Sequence, residues 1–372
     1  MKGAEMICNN NHVVLKGILI VLPLILILMP LGCLASYEYE KTERMELSAD
    51  GVRKLAIIAS KCDVRVTGRR NSGMVVVNII RSVREDSEEK ARELAEKMRV
   101  EVRESSGMIE LVTEYPGNGS ESINIIEAIF GGGRKVSMDL DITVPEELDI
   151  TFDTSSGDIE IMNVAGNVGV STASGDVEAS RIENKLIVKT ASGDIDAEMI
   201  GSLAVEAASG DISAADVKGS CVISVASGDV ELEGVGGGVV VKAISGDIEL
   251  EGVTGNAEVS ATSGDIELEG MGGDVKAFSA SGDLYVNAAP APGRKEYELG
   301  TSGGELTLIF SRLLSEGFVL QASTTNGDFE LDLPIQISEM SRQRVRGVVR
   351  EGKSRVIVET SSGNITIMEK GV

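Results

Sequence analysis

Residues 227–244 read SGDVELEGVGGGVVVKAI, and residues 245–262 read SGDIELEGVTGNAEVSAT. Both stretches open with Ser-Gly-Asp, and this tripeptide recurs along the chain with successive glycines 18, 18, 17, 18, 18, 18 and 18 residues apart. A fixed period of this kind indicates stacked copies of one structural unit. The glycines and aspartates of the turn are Gly157, Asp158, Gly175, Asp176, Gly193, Asp194, Gly210, Asp211, Gly228, Asp229, Gly246, Asp247, Gly264, Asp265, Gly282 and Asp283.

Each unit contains two short runs with the alternation of a β-strand. After the turn, apolar residues such as Val230 and Leu232 flank a mostly acidic position such as Glu231, and a second alternating run follows at 239–241. Such alternation predicts strands with one buried face. A two-strand unit cannot bury that face by itself, whereas stacked units can. The sequence therefore predicts an all-β fold, a parallel β-solenoid of two-strand coils.

One unit, between Gly193 and Gly210, has 17 residues instead of 18. Comparison with its neighbours places the missing residue after Ile200, between the third apolar position and the second strand. A deletion within a strand would exchange the buried and exposed faces, whereas a loop absorbs it without that effect. We therefore expect both strands of this unit to stay in register.

The distribution of the repeat divides the chain into four regions. Residues 1–36 form a targeting or anchoring segment, 37–150 an N-terminal α+β cap, 151–289 the regular solenoid, and 290–372 irregular C-terminal coils with a cap. The cap is predicted to contain strands at 54–58, 64–67, 74–80 and 108–113, a degenerate coil at 60–68, and a helix near 87–99. The helix begins with a sequence similar to a capping box, Asp86-Ser-Glu-Glu89. Residues 301–304, 325–328 and 361–364 keep the turn chemistry of the repeat.

The N-terminal segment is strongly apolar. Residues 17–36 read GILIVLPLILILMPLGCLAS and contain no charge, a length between that of a signal peptide core and a spanning helix. The sequence Leu31-Gly32-Cys33 resembles the end of a lipoprotein signal, although Pro30 departs from the usual pattern. Lipidation of Cys33 and an uncleaved signal anchor both remain open. In either case we expect the bulk of the chain to be membrane-anchored, extracytoplasmic and at the cell surface.

Composition argues against two classes of function. The formal net charge is −24, whereas nucleic-acid binding needs clustered Lys and Arg. The only histidine, His12, precedes the membrane segment, which removes Ser-His and Cys-His mechanisms from the exported part. The four cysteines, at 8, 33, 62 and 221, include no CxxC pair, so neither a zinc site nor a disulfide framework is indicated. We expect no enzymatic activity, no metal and no nucleic-acid partner.

The repeated turn has a structural and a functional interpretation. Glycine adopts positive φ without steric cost, and Ser and Asp side chains bind nearby backbone N–H groups, so the motif needs no cofactor. Alternatively, ionised aspartates stacked about 4.8 Å apart would repel by about 1 kcal/mol per pair in water, and a divalent cation could relieve this repulsion. Both interpretations are open at this point.

A basic stretch near the C-terminus also has two interpretations. It is either a solvated strand face or a contact surface for an anionic envelope polymer or lipid. Its six basic residues are Arg342, Arg344, Arg346, Arg350, Lys353 and Arg355.

These motifs together resemble the putative-adhesin β-strand-repeat family of bacterial and archaeal envelope proteins, a domain of unknown function. The resemblance rests on the repeated Ser-Gly-Asp-Ile/Val turn and strand, the helix-bearing lead-in and the Thr/Ser-Asn/Ser-Gly-Asp/Asn ending, over residues 45–370. It implies adhesion without fixing a ligand, and no functional residue is carried over. The long faces of a solenoid are suited to a surface polymer, a protein or another copy of the chain. An envelope-stress sensor, or a scaffold for a membrane protein, is the alternative.

Overall fold

The computed structural model describes residues 37–115, 135–312 and 314–370. Their fold is a β-solenoid, in which two long and mainly parallel sheets face each other across an apolar core. The predicted fold class is therefore confirmed. The apolar segment 17–36 with Cys33 lies outside the described residues. Within the described ranges, no helix has both the length and the apolar character needed to cross a bilayer.

The elements before the regular repeats include the one helix that the described ranges contain. They are β1 (Tyr37–Ser48), β2 (Lys54–Ala59), β3 (Val64–Arg69), β4 (Met74–Glu85), α1 (Glu88–Lys97), β5 (Arg99–Ser105), β6 (Met108–Glu114), β7 (Lys135–Pro145) and β8 (Asp149–Thr154). The strands of the regular repeats are β9 (Ile159–Val164), β10 (Val168–Thr172), β11 (Val177–Thr190), β12 (Ile195–Ser209), β13 (Ile212–Val217), β14 (Cys221–Ser227), β15 (Val230–Val235), β16 (Val239–Ser245), β17 (Ile248–Glu251), β18 (Ala257–Ser263), β19 (Ile266–Met271), β20 (Val275–Ser279) and β21 (Leu284–Ala288). The C-terminal strands are β22 (Glu296–Thr301), β23 (Leu306–Phe310), β24 (Phe318–Asn326), β25 (Phe329–Asp332), β26 (Ile335–Met340), β27 (Arg344–Val349), β28 (Ser354–Ser362) and β29 (Ile365–Glu369).

The strands that follow the Ser-Gly-Asp turns form sheet 1, and the second strands of the units form sheet 2. Sheet 1 has the order β1-β4-β7-β3-β9-β11-β12-β13-β15-β17-β19-β21-β23-β29-β25. Sheet 2 has the order β5-β6-β2-β8-β10-β11-β12-β14-β16-β18-β20-β22-β28-β24-β27-β26. Strands β11 and β12 continue through the second corner of their coils and belong to both sheets.

Neighbouring coils pair in parallel, in the register that the repeat predicts. In sheet 1, Val230 pairs with Ile248, and Ile248 pairs with Ile266. The 17-residue unit is accommodated by a register shift: Ile182 pairs with Ile200, and pairing resumes one residue short at Lys185 and Ser202. The deletion lies at the predicted position, but strand β12 continues through this corner, so a register shift within the strand takes the place of the expected loop. Each strand keeps its apolar side toward the core.

The core is filled by the predicted apolar columns. Ile248, Leu250 and Val253 are 1%, 0% and 0% exposed, and the equivalent residues of the other coils are buried to a similar degree. Each such side chain contributes about 1.5–3 kcal/mol through the burial of its apolar surface. Toward the C-terminal end, the aromatic rings of Tyr297 and Phe310 pack at a centroid distance of 5.6 Å.

At both ends, the coils are not stacked in chain order. Strands β2 and β3 lie between β6/β7 and β8/β9, so the predicted degenerate coil is an internal rung. At the other end, the late strands β28 and β29 lie between β22/β23 and β24/β25. At each end, one coil is thus held between two others.

The N-terminal elements agree with the predictions in kind and differ in extent. Helix α1 begins where expected, because the Ser87 hydroxyl accepts a hydrogen bond from the Lys90 amide at 3.3 Å. It packs against β1 and β4 and buries Ala91 and Ala95. Strand β4 runs to Glu85, beyond the predicted end at residue 80, because β1 and β7 pair with it from both sides. Strands β1, β5 and β7 were not predicted, and β1 and β5 are charged strands at the sheet edges.

Candidate functional site

The glycine of each Ser-Gly-Asp turn is required by two independent constraints. At Gly246, φ is +125°, and a Cβ atom built there would lie 2.1 Å from the carbonyl oxygen of Gly228 in the neighbouring coil. L-residues rarely adopt such a φ, and no side chain fits at that distance. The corners of successive coils therefore stack backbone on backbone.

The aspartates of the turns form a hydrogen-bonded column. Oδ1 of Asp229 accepts the backbone N–H of Asp247 at 2.8 Å, and the equivalent bond recurs from coil to coil. The column begins at Asp63 of the degenerate coil and ends at Glu305, whose N–H binds Asp283 at 2.8 Å. Each carboxylate thus satisfies an amide of the next coil. The intermediate links are formed by Asp158, Asp176, Asp194, Asp211 and Asp265.

This geometry gives the aspartates a structural role. In the parts of the chain that the structure describes, there is no group of three or more His, Cys, Asp or Glu side chains that could hold a metal ion. A cation on the aspartate column stays a prediction. The column itself explains the motif through backbone hydrogen bonds.

The outward face of sheet 1 carries a dense block of negative charge. Three consecutive strands each present two glutamates, in register across the sheet. We call this block the acidic grid, and its residues are Glu231, Glu233, Glu249, Glu251, Glu267 and Glu269. Partial burial, together with the charges of Glu249 and Glu269, raises the pKa of Glu267 above its ordinary value.

The outward face of sheet 2 is different, because its central positions are aliphatic. Residues Ile187, Ala204, Val222 and Val240 pair in sequence across β11, β12, β14 and β16. We call this column the apolar stripe. Ile187 is 37% exposed and Val222 is 46% exposed, and Ile244 at the end of β16 is 60% exposed. The sequence contained this signal, since the alternation of the second strand places Val222 outward. A core prediction uses only the inward positions of the strands, so it leaves these outward aliphatic residues out.

Few charges surround the apolar stripe, and they have an ordered arrangement. Lys185 and Lys189 lie on β11, Glu206 on β12, Lys242 on β16 and Glu258 on β18, all exposed. Strand β14, in the middle, carries no charged residue. Lys189 and Glu206 form an ion pair of 2.7 Å within the chain. Beside the stripe runs an open groove of about 520 Å³, lined by Lys189, Ala208, Ala226, Lys242 and Ile244 among others.

The basic stretch at 341–355 is largely paired within the chain. Arg346 contacts Glu339, Lys353 contacts Glu316 and Glu351, and Arg355 contacts Glu296. Arg350 donates a hydrogen bond to the carbonyl of Leu314. Four of the six basic residues thus bind groups of the chain itself, and both interpretations of the stretch stay predictions.

The two described cysteines are buried and free. Burial raises the pKa of the Cys221 thiol to about 12. Burial also raises the pKa of Cys62, and the negative charges of Asp139 and Asp63 add to this effect. A thiol that stays protonated is a poor nucleophile, so both residues act as small core side chains.

The stacked coils, the repeated geometry of their corners and the two long sheet faces define the class of the protein, a β-solenoid of the repeat type. The chain belongs to the Toastrack DUF4097 family, whose model matches residues 52–253 and 184–368. A comparison with curated proteins finds no match.

Among solved structures, a putative cell adhesion protein from Clostridium sporogenes is 13% identical, with a TM-score of 0.21, and the match covers 89% of this chain and 100% of that chain. A putative adhesin from Bacteroides fragilis is 14% identical, with a TM-score of 0.21 and coverage of 88% and 97%. A putative lipid binding protein from Parabacteroides distasonis is 14% identical, with a TM-score of 0.30 and coverage of 72% and 96%. These TM-scores are too low for the three structures to define the function of this chain.

Proposed function

We propose that the protein is a non-enzymatic surface binding module of the adhesin type, tethered to the membrane by its N-terminal segment. The observation that carries this proposal is the apolar stripe on a regular sheet face, in which Ile187 and Val222 are exposed, together with the exposed Ile244 beside it. Single exposed apolar side chains are ordinary on protein surfaces, whereas contiguous apolar patches mark interaction sites.

The scaffold beneath the stripe favours binding. The residues that alternate with the stripe, such as Ile223 and Val241, are 1% and 0% exposed and pack into the core. The backbone that carries the outward side chains is therefore fixed before a partner arrives, which lowers the entropic cost of association. A flat face of this kind suits a macromolecular surface better than an enclosed small ligand.

Adhesion of cells that display the full chain tests the proposal. Val222→Asp places a charge in the apolar stripe, and we expect it to abolish binding to envelope material or to other cells. Ser213→Asp is the matched control, because it places the same charge on an outward position of sheet 1. Equal surface staining of both variants excludes a folding defect. Unchanged adhesion of the Val222→Asp cells would contradict the proposal.

The tether is tested by the intact mass of the protein extracted from native membranes. A mass that corresponds to cleavage before Cys33 plus lipid supports a lipoprotein. An unmodified full-length mass makes residues 17–36 a signal anchor and favours the sensor or scaffold alternative. A cleaved chain without lipid would contradict membrane tethering.

A further inference from the structure

We propose that the solenoid binds a second copy of itself through the outward face of sheet 2, with the two solenoid axes antiparallel. This inference rests on the proposed function and names the partner of the same surface. It follows from the order of the charges along the stack of coils.

The charges around the apolar stripe change sign across β14. Counted from this uncharged strand, β12 carries Glu206 on one side and β16 carries Lys242 at the same distance on the other side. One strand further out, β11 carries Lys185 and Lys189, and β18 carries Glu258. Glu206 and Lys242 are thus counterparts of opposite charge, and the counterpart of Glu258 is Ile187, which lies between Lys185 and Lys189, so opposite charges lie close to each other about β14. A surface that binds its own copy about a two-fold axis must have this property.

A two-fold axis parallel to the strands and passing over β14 brings the counterparts together. Val222 then faces Val222 of the second copy, and Ala204 faces Val240. Glu206 of each copy faces Lys242 of the other copy. Glu258 of each copy lies between Lys185 and Lys189 of the other copy. Aligned packing of two sheets face to face is a common arrangement in β-proteins.

The opposite face cannot form such a pair. The acidic grid on sheet 1 presents only negative charge at its centre, so two copies would repel each other there. The footprint on sheet 2, five strands by seven residues, measures about 24 Å by about 23 Å. This is near the lower size limit of specific complexes, so we expect a weak and reversible dimer.

The antiparallel arrangement has a consequence for tethered molecules. A two-fold axis parallel to the strands reverses the direction of stacking, so the two β1 strands lie at opposite ends of the pair. The two Tyr37 residues, where the described part of each chain begins, therefore lie at opposite ends of the pair. Copies anchored to two opposing cells are compatible with this arrangement.

Charge exchange in the full chain, purified in detergent, tests the proposal. Lys242→Glu leaves the Lys189–Glu206 ion pair intact but places Glu206 opposite another glutamate, and we expect association to weaken about tenfold. Glu206→Lys should weaken it similarly. The double variant Glu206→Lys/Lys242→Glu restores opposite signs at both places, and its association constant should return to within about threefold of the original. Sedimentation velocity measures all four proteins.

Glu231→Lys on sheet 1 is the control, and it should not weaken association. A wild-type chain that is still monomeric at a concentration of about 100 μM would overturn the proposal. So would single variants that associate like the wild type, or a double variant that does not recover. Cross-linking gives a second measurement: Ser224→Cys, next to the axis, should yield dimers with a short bis-maleimide, whereas Ser213→Cys should yield no more than the wild-type background.

Mixed-cell aggregation separates this inference from the proposed function. Two differently labelled populations, one of which lacks the protein, are combined. Aggregates that form only between expressing cells, and that Lys242→Glu disrupts, support self-pairing. Adhesion to cells without the protein would overturn self-pairing and leave the binding module intact. If cells that express the wild-type protein adhere neither to each other nor to cells without it, both the self-pairing and the proposed function are overturned.

Discussion

The backbone N–H of Asp229 donates a hydrogen bond of 2.9 Å to Oδ1 of Asp211 in the preceding coil, and the carboxylate of Asp229 in turn accepts the N–H of Asp247. Each such aspartate therefore connects its own coil to the coil before it and to the coil after it. The recurrence of Asp after Gly is explained by this chain of bonds, because each corner amide needs an acceptor at a fixed position.

Asp229→Ala removes the acceptor of the Asp247 amide and should lower the free energy of unfolding by about 1 kcal/mol, as for other lost hydrogen bonds. Asp229→Asn keeps an oxygen at the same place and should cost clearly less. The chain itself supports this difference, since Asn256 accepts the N–H of Asp274 at 3.0 Å in a similar position. Urea unfolding measures both variants. Equal losses for Ala and Asn would show that the hydrogen bond is not the cause.

Gly246 and Gly252 separate steric contact from backbone conformation. A Cβ atom at Gly246 lies 2.1 Å from a backbone oxygen, whereas at Gly252 its nearest neighbour is 3.7 Å away. Both have positive φ, +125° and +69°. Gly252→Ala should cost about 1 kcal/mol from its φ alone. Gly246→Ala should cost more than about 3 kcal/mol, because neither backbone can move away within the stack. Similar losses in thermal or urea unfolding would contradict the stacked-corner geometry.

Arg181→Gly should stabilise the protein. Arg181 is exposed and has φ of +56°, at the corner where Gly234 and Gly252 occupy the equivalent positions of later coils. Relief of the left-handed conformation should outweigh the added freedom of glycine in the unfolded chain, with a net gain of about 0.5–1 kcal/mol. Arg181→Lys, which keeps a Cβ atom, is the matched control and should be neutral. A loss of stability in the glycine variant would contradict the assignment of strain.

Glu267 and Glu93 should respond to pH with opposite signs. The pKa of Glu267 is raised in the folded state by partial burial and by Glu249 and Glu269, so its contribution to stability improves as the pH falls through the folded pKa. The pKa of Glu93 is lowered by the hydrogen bond from Lys97 and by its charge, so its contribution is present above the unfolded pKa and is lost as the pH falls.

At pH 7, Glu267→Gln should therefore raise the urea midpoint slightly and Glu93→Gln should lower it slightly. Both differences should shrink as the pH approaches about 4, the range in which unperturbed glutamates become protonated. Midpoints that shift in the same direction, or that do not depend on pH, would contradict the assigned charge environment.

Much of the fold could be predicted from single residues of the repeat. The alternation at Val230, Glu231 and Leu232 gave the burial of a whole strand, and the position of Ile200 gave the site of the deletion. Ser87 gave the helix start. The candidate site could be predicted only in part from the sequence. The alternation shows that Val222 points outward, but it does not show which charges lie opposite each other about β14.

The sequence by itself determined the coil, its register and its corners, because these depend on contacts between residues 17 or 18 positions apart. Since the sequence repeats at this spacing, the same contacts recur in every unit. Only the tertiary structure decided the order of coils at the ends. There, Arg355 meets Glu296 across 59 residues, and β28 enters between strands that precede it in the chain. No local pattern encodes that choice, because each coil offers the same backbone groups to any other. Burial of the last apolar surfaces determines which coils become neighbours.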